Sequence, residues 1–402
     1  MRPVTTPKYW RAVLASGRMR IVGAYALVAS IVAVVFAAGL LGGGFGAIER
    51  SDYMTYHVAA RIVLDGNGAC LYDVACQEAE QRALIGDEPS FERGALPYNS
   101  PPWLAALLVP LGLLSLHLGF ALFTLASLLV LAAAAWRVTP GSAAMRLLPA
   151  ILLLTAWPTV MGAIRGQSTL AVVALLGVST LGSGAALGLS ALKPTLGPLW
   201  AVWLLAARRW RELMVAALVV VALVVLAAFV VSPQAVVDYP AHLLGVAAPD
   251  AIGVHVEEMV NWRGAAERSG TGPWLYVIGT IATVAVVAYA WVSSRSGTLA
   301  AAVAFIATPL ILPHANQHEA ILAEMGVLLA IGAAGSVRKG LAAGAVATHA
   351  VLWAGPAMPA EASAWMLFIA QLAWLAVVTV IAVRIRPNER AESSSHRPAQ
   401  VA

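Results

Sequence analysis

The chain has 402 residues, of which 60% are hydrophobic and only 11% charged, with a mean hydropathy of +0.81. A soluble globular protein carries roughly a quarter charged residues, so this composition excludes a set of water-soluble domains and assigns most of the chain to lipid. The formal charge of +5 is scattered between apolar runs rather than gathered in a patch, which argues against nucleic acid as a partner and makes the cations reporters of membrane topology.

In chain order, residues 1–20 carry Arg2, Lys8, Arg11, Arg18 and Arg20 and read as a cytoplasmic N-terminal segment. Residues 21–48 hold no charge until Glu49, long enough for a helix across a core that needs about 20 residues. They also exceed the roughly 7–15-residue apolar region of a cleaved leader. Hydropathy predicts further spans at 101–115, 117–136, 147–164, 168–183, 185–206, 213–231, 273–292, 298–313, 319–334, 340–355 and 364–384. The expected fold is therefore all-α, a polytopic integral membrane domain over 21–385 with about twelve transmembrane helices, both termini cytoplasmic, and a disordered tail at 386–402. Most Lys and Arg residues fall on the side this count places inside, including Arg165, Arg208, Arg209, Arg211, Arg338 and Lys339. Arg137 and Arg146 are the exceptions and fall outside.

Nine of the 20 acidic residues lie between Glu49 and Glu92, and five more between Asp238 and Glu267. These mark two long outer loops, 45–100 and 232–272, each with enough aromatic and apolar residues to fold against the membrane as short amphipathic helices. The two cysteines, Cys70 and Cys76, share the first loop. A disulfide and two free thiols are both open to them, and an oxidising outer compartment favours the disulfide. A zinc site is not expected, because no further Cys or paired His is near. Walker, dinucleotide-binding and HExxH motifs are absent, as is an Asp-x-Asp pair, so no nucleotide cofactor and no required metal are expected.

Polar chemistry concentrates at a few positions. In Ser51-Asp52-Tyr53-Met54-Thr55-Tyr56-His57, Tyr56 stands one helical turn beyond Asp52, and His57 one turn beyond Tyr53. The segment is predicted to begin an amphipathic helix along the membrane surface, where Asp52 is either a cap or a functional carboxylate. Lys193 is a lone cation inside an apolar span, a costly position that faces a cavity or a partner. Pro313-His314-Ala315-Asn316-Gln317-His318 falls where a span reaches the outer surface. The second loop offers Trp262 beside His255, Glu257, Glu258 and Arg263.

Asp52 and Tyr56, then Ala59, Gly66, Leu71-Tyr72, Tyr98 and Pro101-Pro102, Gly166-Gln167, Lys193-Pro194 and the His segment resemble, in that order, a known family. The pattern is similar to the bacterial GT-C glycosyltransferases that use polyprenyl-phosphate sugars, in particular the actinobacterial polyprenyl-phosphate-mannose-dependent α-mannosyltransferases (glycosyltransferase family 87 type), with an arabinofuranosyltransferase branch. The resemblance spans roughly residues 20–385. It implies transfer of a sugar, mannose by family frequency and arabinofuranose next, to a lipid or glycan hydroxyl at the extracytoplasmic face of the plasma membrane, with inversion. Asp52 is then the catalytic base. Lys193, His318, His314, Gln317, Tyr56, His57 and Arg61 become candidates for donor phosphate and sugar, and Trp262 and Tyr98 for the acceptor. The rival readings are a transporter or lipid flippase and a non-catalytic subunit. The ionisable residues gather at one face rather than the midplane, which counts against transport.

Overall fold

The computed structural model describes residues 48–86, 96–246, 255–294 and 296–384. The expected first span (apart from Ile48), the N-terminal segment, the tail and parts of both outer loops lie outside the described residues. Among the described residues every regular element is helical.

The first loop folds as α1 (Asp52–Leu64) and α2 (Val74–Ile85), followed by α3 (Pro102–Gly112) and the long α4 (Leu116–Val138). Next come α5 (Ala143–Thr155) and α6 (Trp157–Ile164), bent by 53° at their junction, and then five short pieces, two of them single 3₁₀ turns. Of these, α7 (Thr169–Ser179), α8 (Gly184–Leu189) and α9 (Pro198–Ala206) lead into the long α10 (Trp210–Val230). The second loop contributes α11 (Pro233–Val246) and α12 (Trp262–Ser269). The remainder is α13 (Pro273–Ser293), α14 (Gly297–Ile311), α15 (Ile321–Ala333), α16 (Arg338–Leu352) and α17 (Ala360–Arg384).

Among the described residues four helices, α4, α10, α13 and α17, are long and apolar enough to cross a membrane, and up to six spans result if two bent pairs each count as one. At about 1.5 Å per residue each of the four exceeds the roughly 30 Å hydrocarbon core. Their outward faces leave Leu129, Phe229 and Val292 exposed at 62%, 87% and 90%, as expected of helices that face lipid. The core of the bundle is α14 packed against α15, with Ala300–Ala304, Phe305 and Ile306 facing Ile321, Leu322 and Leu328. Gly326 permits this closeness, since a Cβ there would lie 2.7 Å from the Ala302 carbonyl.

The described residues do not bear out the twelve-span count, for a physical reason. Hydropathy counts apolar residues whether or not they cross. At 11 residues, α3 and α7 are each about 16 Å long, half of the core. Helix α3 starts at the cavity described below, and its Gly112 packs on Ala60 and Leu64 of α1, so it stays on one side. The predicted span 185–206 goes up and returns instead of crossing. Gly184 and Gly182 lie against Glu212 and Arg209 at one end, Lys193 reaches the cavity, and α9 descends again to Arg209. The two errors cancel after residue 206 and leave the intervening region inverted. Arg137 and Arg146 therefore belong to the end of the molecule opposite the cavity. Arg146 lies over Trp136, and the neighbouring Pro140 packs on Gly332 beside Arg338.

A second correction concerns α1. It is not an amphipathic surface helix, because ten of its thirteen residues are buried between α3, α4 and the 165–168 turn. Two of its polar side chains are satisfied internally, Thr55 by the Asp52 carbonyl and Tyr56 by Gln167 and Ser168, whereas Asp52 Oδ2, the Tyr53 hydroxyl and His57 Nδ1 are buried with no partner among the described residues.

Candidate active site

Ten helical residues of α1 pack away from solvent so that its first turn points into a cavity of about 280 Å³. Asp52, Thr55 and Tyr56 form one wall, and Arg165 and Gln167 another. Lys193 to Thr195 supply the floor, Tyr239 and Leu243 of α11 a side. His255 and Glu258 stand with His314, Asn316, His318 and Glu319 on the remaining perimeter.

Backbone geometry joins the first two walls. The Tyr53 N–H donates to the Arg165 carbonyl at 3.1 Å. The next residue, Gly166, has φ +61°, and a Cβ there would lie 2.6 Å from Tyr53 Cβ and 2.9 Å from the Phe120 ring. Only glycine fits this turn, which brings Arg165 and Gln167 to α1. The Tyr56 hydroxyl then donates to Gln167 Oε1 at 3.2 Å and sits 3.2 Å from Ser168 Oγ. Burial pushes the Tyr56 phenol above its ordinary pKa, so it remains a neutral donor. Asp52 lies in the first turn of α1. Its Oδ2 is buried and has no hydrogen-bond partner among the described residues.

The floor is a charge network. Lys193 sits between two short 3₁₀ turns, where Pro194 prevents the helix from continuing. Its ammonium donates to Thr169 Oγ1 at 2.8 Å and to Glu319 Oε1. Glu319 is 1% exposed. Its Oε1 also receives His318 Nε2 at 2.8 Å and the Thr169 hydroxyl at 3.3 Å, and its Oε2 accepts the Asn316 N–H at 2.7 Å in a capping box. His314 is driven by burial down to about 4, so it is neutral at physiological pH. Asn316 Nδ2 donates to His314 Nε2 at 3.3 Å, which leaves the proton on Nδ1, and that atom has no partner among the described residues.

The second loop is stitched to this segment. Val260 N–H donates to the Ala315 carbonyl at 2.8 Å, Asn261 Nδ2 to Leu312 at 2.7 Å, and Arg263 Nη1 to Pro313 at 2.9 Å. Arg268 donates to the Glu257 and Met259 carbonyls and lies over the Trp365 ring at 4.6 Å. These bonds hold His255 and Glu258 at the cavity mouth.

The structure thus brings Asp52, Tyr56, Lys193, His314 and His318 together, and places the other sequence-derived candidates elsewhere. Trp262 donates to Thr283 Oγ1 at 2.8 Å and packs edge-on against Phe368, closing the gap between α12, α13 and α17. Gln317 Oε1 accepts from Trp157 Nε1 at 3.1 Å. Arg61 pairs with Glu80 at 2.5 Å on the surface of α1 and α2. His57 is buried behind α1, where burial and then Arg61 lower its pKa. Tyr98 is fully buried, with its hydroxyl donating to the Pro101 carbonyl at 2.8 Å. Cys70 and Cys76 are disulfide-bonded at the start of α2.

The sequence reading missed Glu319 and counted Arg165 and Gln167 on the opposite side of the membrane from Asp52. For Glu319 a signal existed: a cation inside apolar sequence needs a counter-charge, and Glu319 follows the His segment directly. Arg165 and Gln167 were lost to the miscounted short helices. Among the described residues no group of three or more His, Cys, Asp or Glu side chains is placed to hold a metal ion.

A protein-family model, Glycosyltransferase family 87, matches residues 98–313, a little over half of the chain. The matched stretch contains Arg165, Gln167 and Lys193, begins after Asp52 and ends just before His314. No curated protein and no solved structure matches the chain.

Proposed function

Since the chain belongs to glycosyltransferase family 87, we propose that it moves a sugar from a polyprenyl-phosphate donor to the hydroxyl of a lipid or glycan acceptor, with Asp52 as the base. The acceptor oxygen forms a bond to the anomeric carbon as the bond from that carbon to the phosphate oxygen breaks. The electron pair leaves with the phosphate, the acceptor proton passes to the Asp52 carboxylate, and the carbon inverts. The observation that carries this reading is the buried, unpartnered Asp52 Oδ2 at the edge of a cavity that also holds Arg165, Lys193 and neutral His314. A carboxylate needs this freedom to take a proton, and a departing phosphate needs nearby donors.

The sugar we propose is mannose, with arabinofuranose second, on the strength of the ordered motifs alone. The cavity faces the extracytoplasmic side of the plasma membrane, because the cations at the opposite end of the bundle follow the positive-inside rule. Side chains rather than a resident metal meet the charge of the leaving phosphate.

The test is membranes containing the protein, radiolabelled polyprenyl-phosphate-mannose or polyprenyl-phosphate-arabinose, and a lipid extract as acceptor. Asp52→Asn is expected to lower transfer roughly 100- to 10,000-fold, the usual contribution of a general base, with expression and thermal unfolding unchanged. Undiminished transfer by the purified variant would remove Asp52 from the mechanism.

A further inference from the structure

Among the described residues two cations line the cavity, Lys193 and Arg165, and they differ in what already neutralises them. Lys193 donates to the Glu319 carboxylate and to Thr169. One of its three N–H groups remains, and its charge is matched by a buried anion. The Arg165 guanidinium is exposed in the cavity and makes no hydrogen bond or ion pair with any described residue. Its backbone is nonetheless fixed at both sides, by the Tyr53 N–H on its carbonyl and by the constrained Gly166 that follows. The side chain is thus a freely aimed donor array on a rigid turn, one hydrogen bond away from the start of the helix that carries Asp52.

We propose that Arg165, rather than Lys193, is the cation that receives the leaving phosphate. The inference rests on the transfer reaction proposed above. The donor is a phosphodiester with one negative charge, and the released prenyl phosphate is a monoester that carries close to two at neutral pH. Charge therefore grows on the phosphate oxygens as the bond to the sugar breaks, and an unpaired guanidinium meets two of them in parallel. A cation already matched by Glu319 responds less to that growth. Lys193 then acts as a positioning residue: it fixes Glu319, which in turn orients His318 and Asn316.

The protein in nanodiscs is titrated calorimetrically with a short-chain prenyl monophosphate and, as a control for the hydrocarbon, the matching prenyl alcohol. Donor kinetics are measured in parallel. Arg165→Gln is expected to weaken prenyl phosphate binding at least about tenfold and to lower kcat roughly 100-fold, the scale for removing one transition-state donor. Donor KM should change much less, the alcohol should bind as before, and Arg165→Lys should restore only part. Because the Arg165 side chain is exposed and unpartnered, thermal unfolding reports whether the variants are folded. Wild-type and Arg165→Gln proteins that bind prenyl phosphate equally would overturn the inference and leave the transfer reading standing. A wild-type protein that neither binds prenyl phosphate nor transfers sugar would overturn both.

Discussion

Glu319 illustrates how one residue can decide the state of its neighbours. Four groups donate to a carboxylate that is almost entirely buried: Lys193, His318, Thr169 and the Asn316 backbone. Removing a single member leaves an uncompensated charge in a poorly solvated site, which is far worse than removing both partners. Lys193→Met is therefore expected to destabilise the protein by roughly 3–5 kcal/mol, while the double variant Lys193→Met with Glu319→Gln recovers most of that loss. Thermal unfolding in detergent reads both. A single variant as stable as the parent would mean that Glu319 is not charged, or not held by Lys193. Sequence made the cation visible because it stands alone among apolar residues; the anion was hidden because a Glu after His318 also reads as an ordinary helix-start residue.

At the level of elements, legibility divided along packing. The long helices α4, α10, α13 and α17 were plain from hydropathy, since each is an apolar run of crossing length bounded by polar residues. The helical α1 was equally plain, and its Asp52–Tyr56 spacing placed both side chains on the cavity. What periodicity could not show is what covers a face. The buried surroundings of α1 come from α3, α4 and the 165–168 turn, which are distant in sequence. Gly166 makes that turn possible, and its replacement separates local strain from simple loss of a glycine. Gly166→Ala forces a side chain into φ +61° and against Tyr53, a cost of roughly 1–3 kcal/mol. It should also displace Arg165 and Gln167 and reduce transfer more than the stability loss explains. Gly340→Ala is the contrast, because Gly340 lies in α16 with nothing within 4 Å of its Cβ position. Alanine there is expected to raise stability by about 0.4–1 kcal/mol without touching transfer. Indistinguishable effects in the two variants would refute the account of the turn.

Across the whole molecule the charges separate by end. Arg137, Arg146, Arg209, Arg211, Arg338, Lys339 and Arg384 lie at the ends of helices remote from the cavity, with Glu212 as the acid beside them. The cavity end carries Asp52, Asp65, Asp73, Glu78, Glu80, Glu257, Glu258, Glu267 and Glu361. The cavity floor at Thr169 and Lys193 is built from the ends of short helices rather than from the outer loops. Cations flanking spans are retained on the cytoplasmic side, and the orientation proposed above for the bundle rests on this asymmetry. With Cys70 and Cys76 paired, a single introduced cysteine is the only free thiol, and two conservative positions test the two ends. Ser269 ends α12 beside Arg268 and is exposed on the cavity side, whereas Ser336 is exposed next to Arg338 at the opposite end. In intact cells a membrane-impermeant maleimide is expected to label Ser269→Cys and to spare Ser336→Cys, with both reacting after permeabilisation. The reverse pattern would turn the cavity to the cytoplasm, and the Asp52 chemistry would then have to act on a donor presented from the inner leaflet.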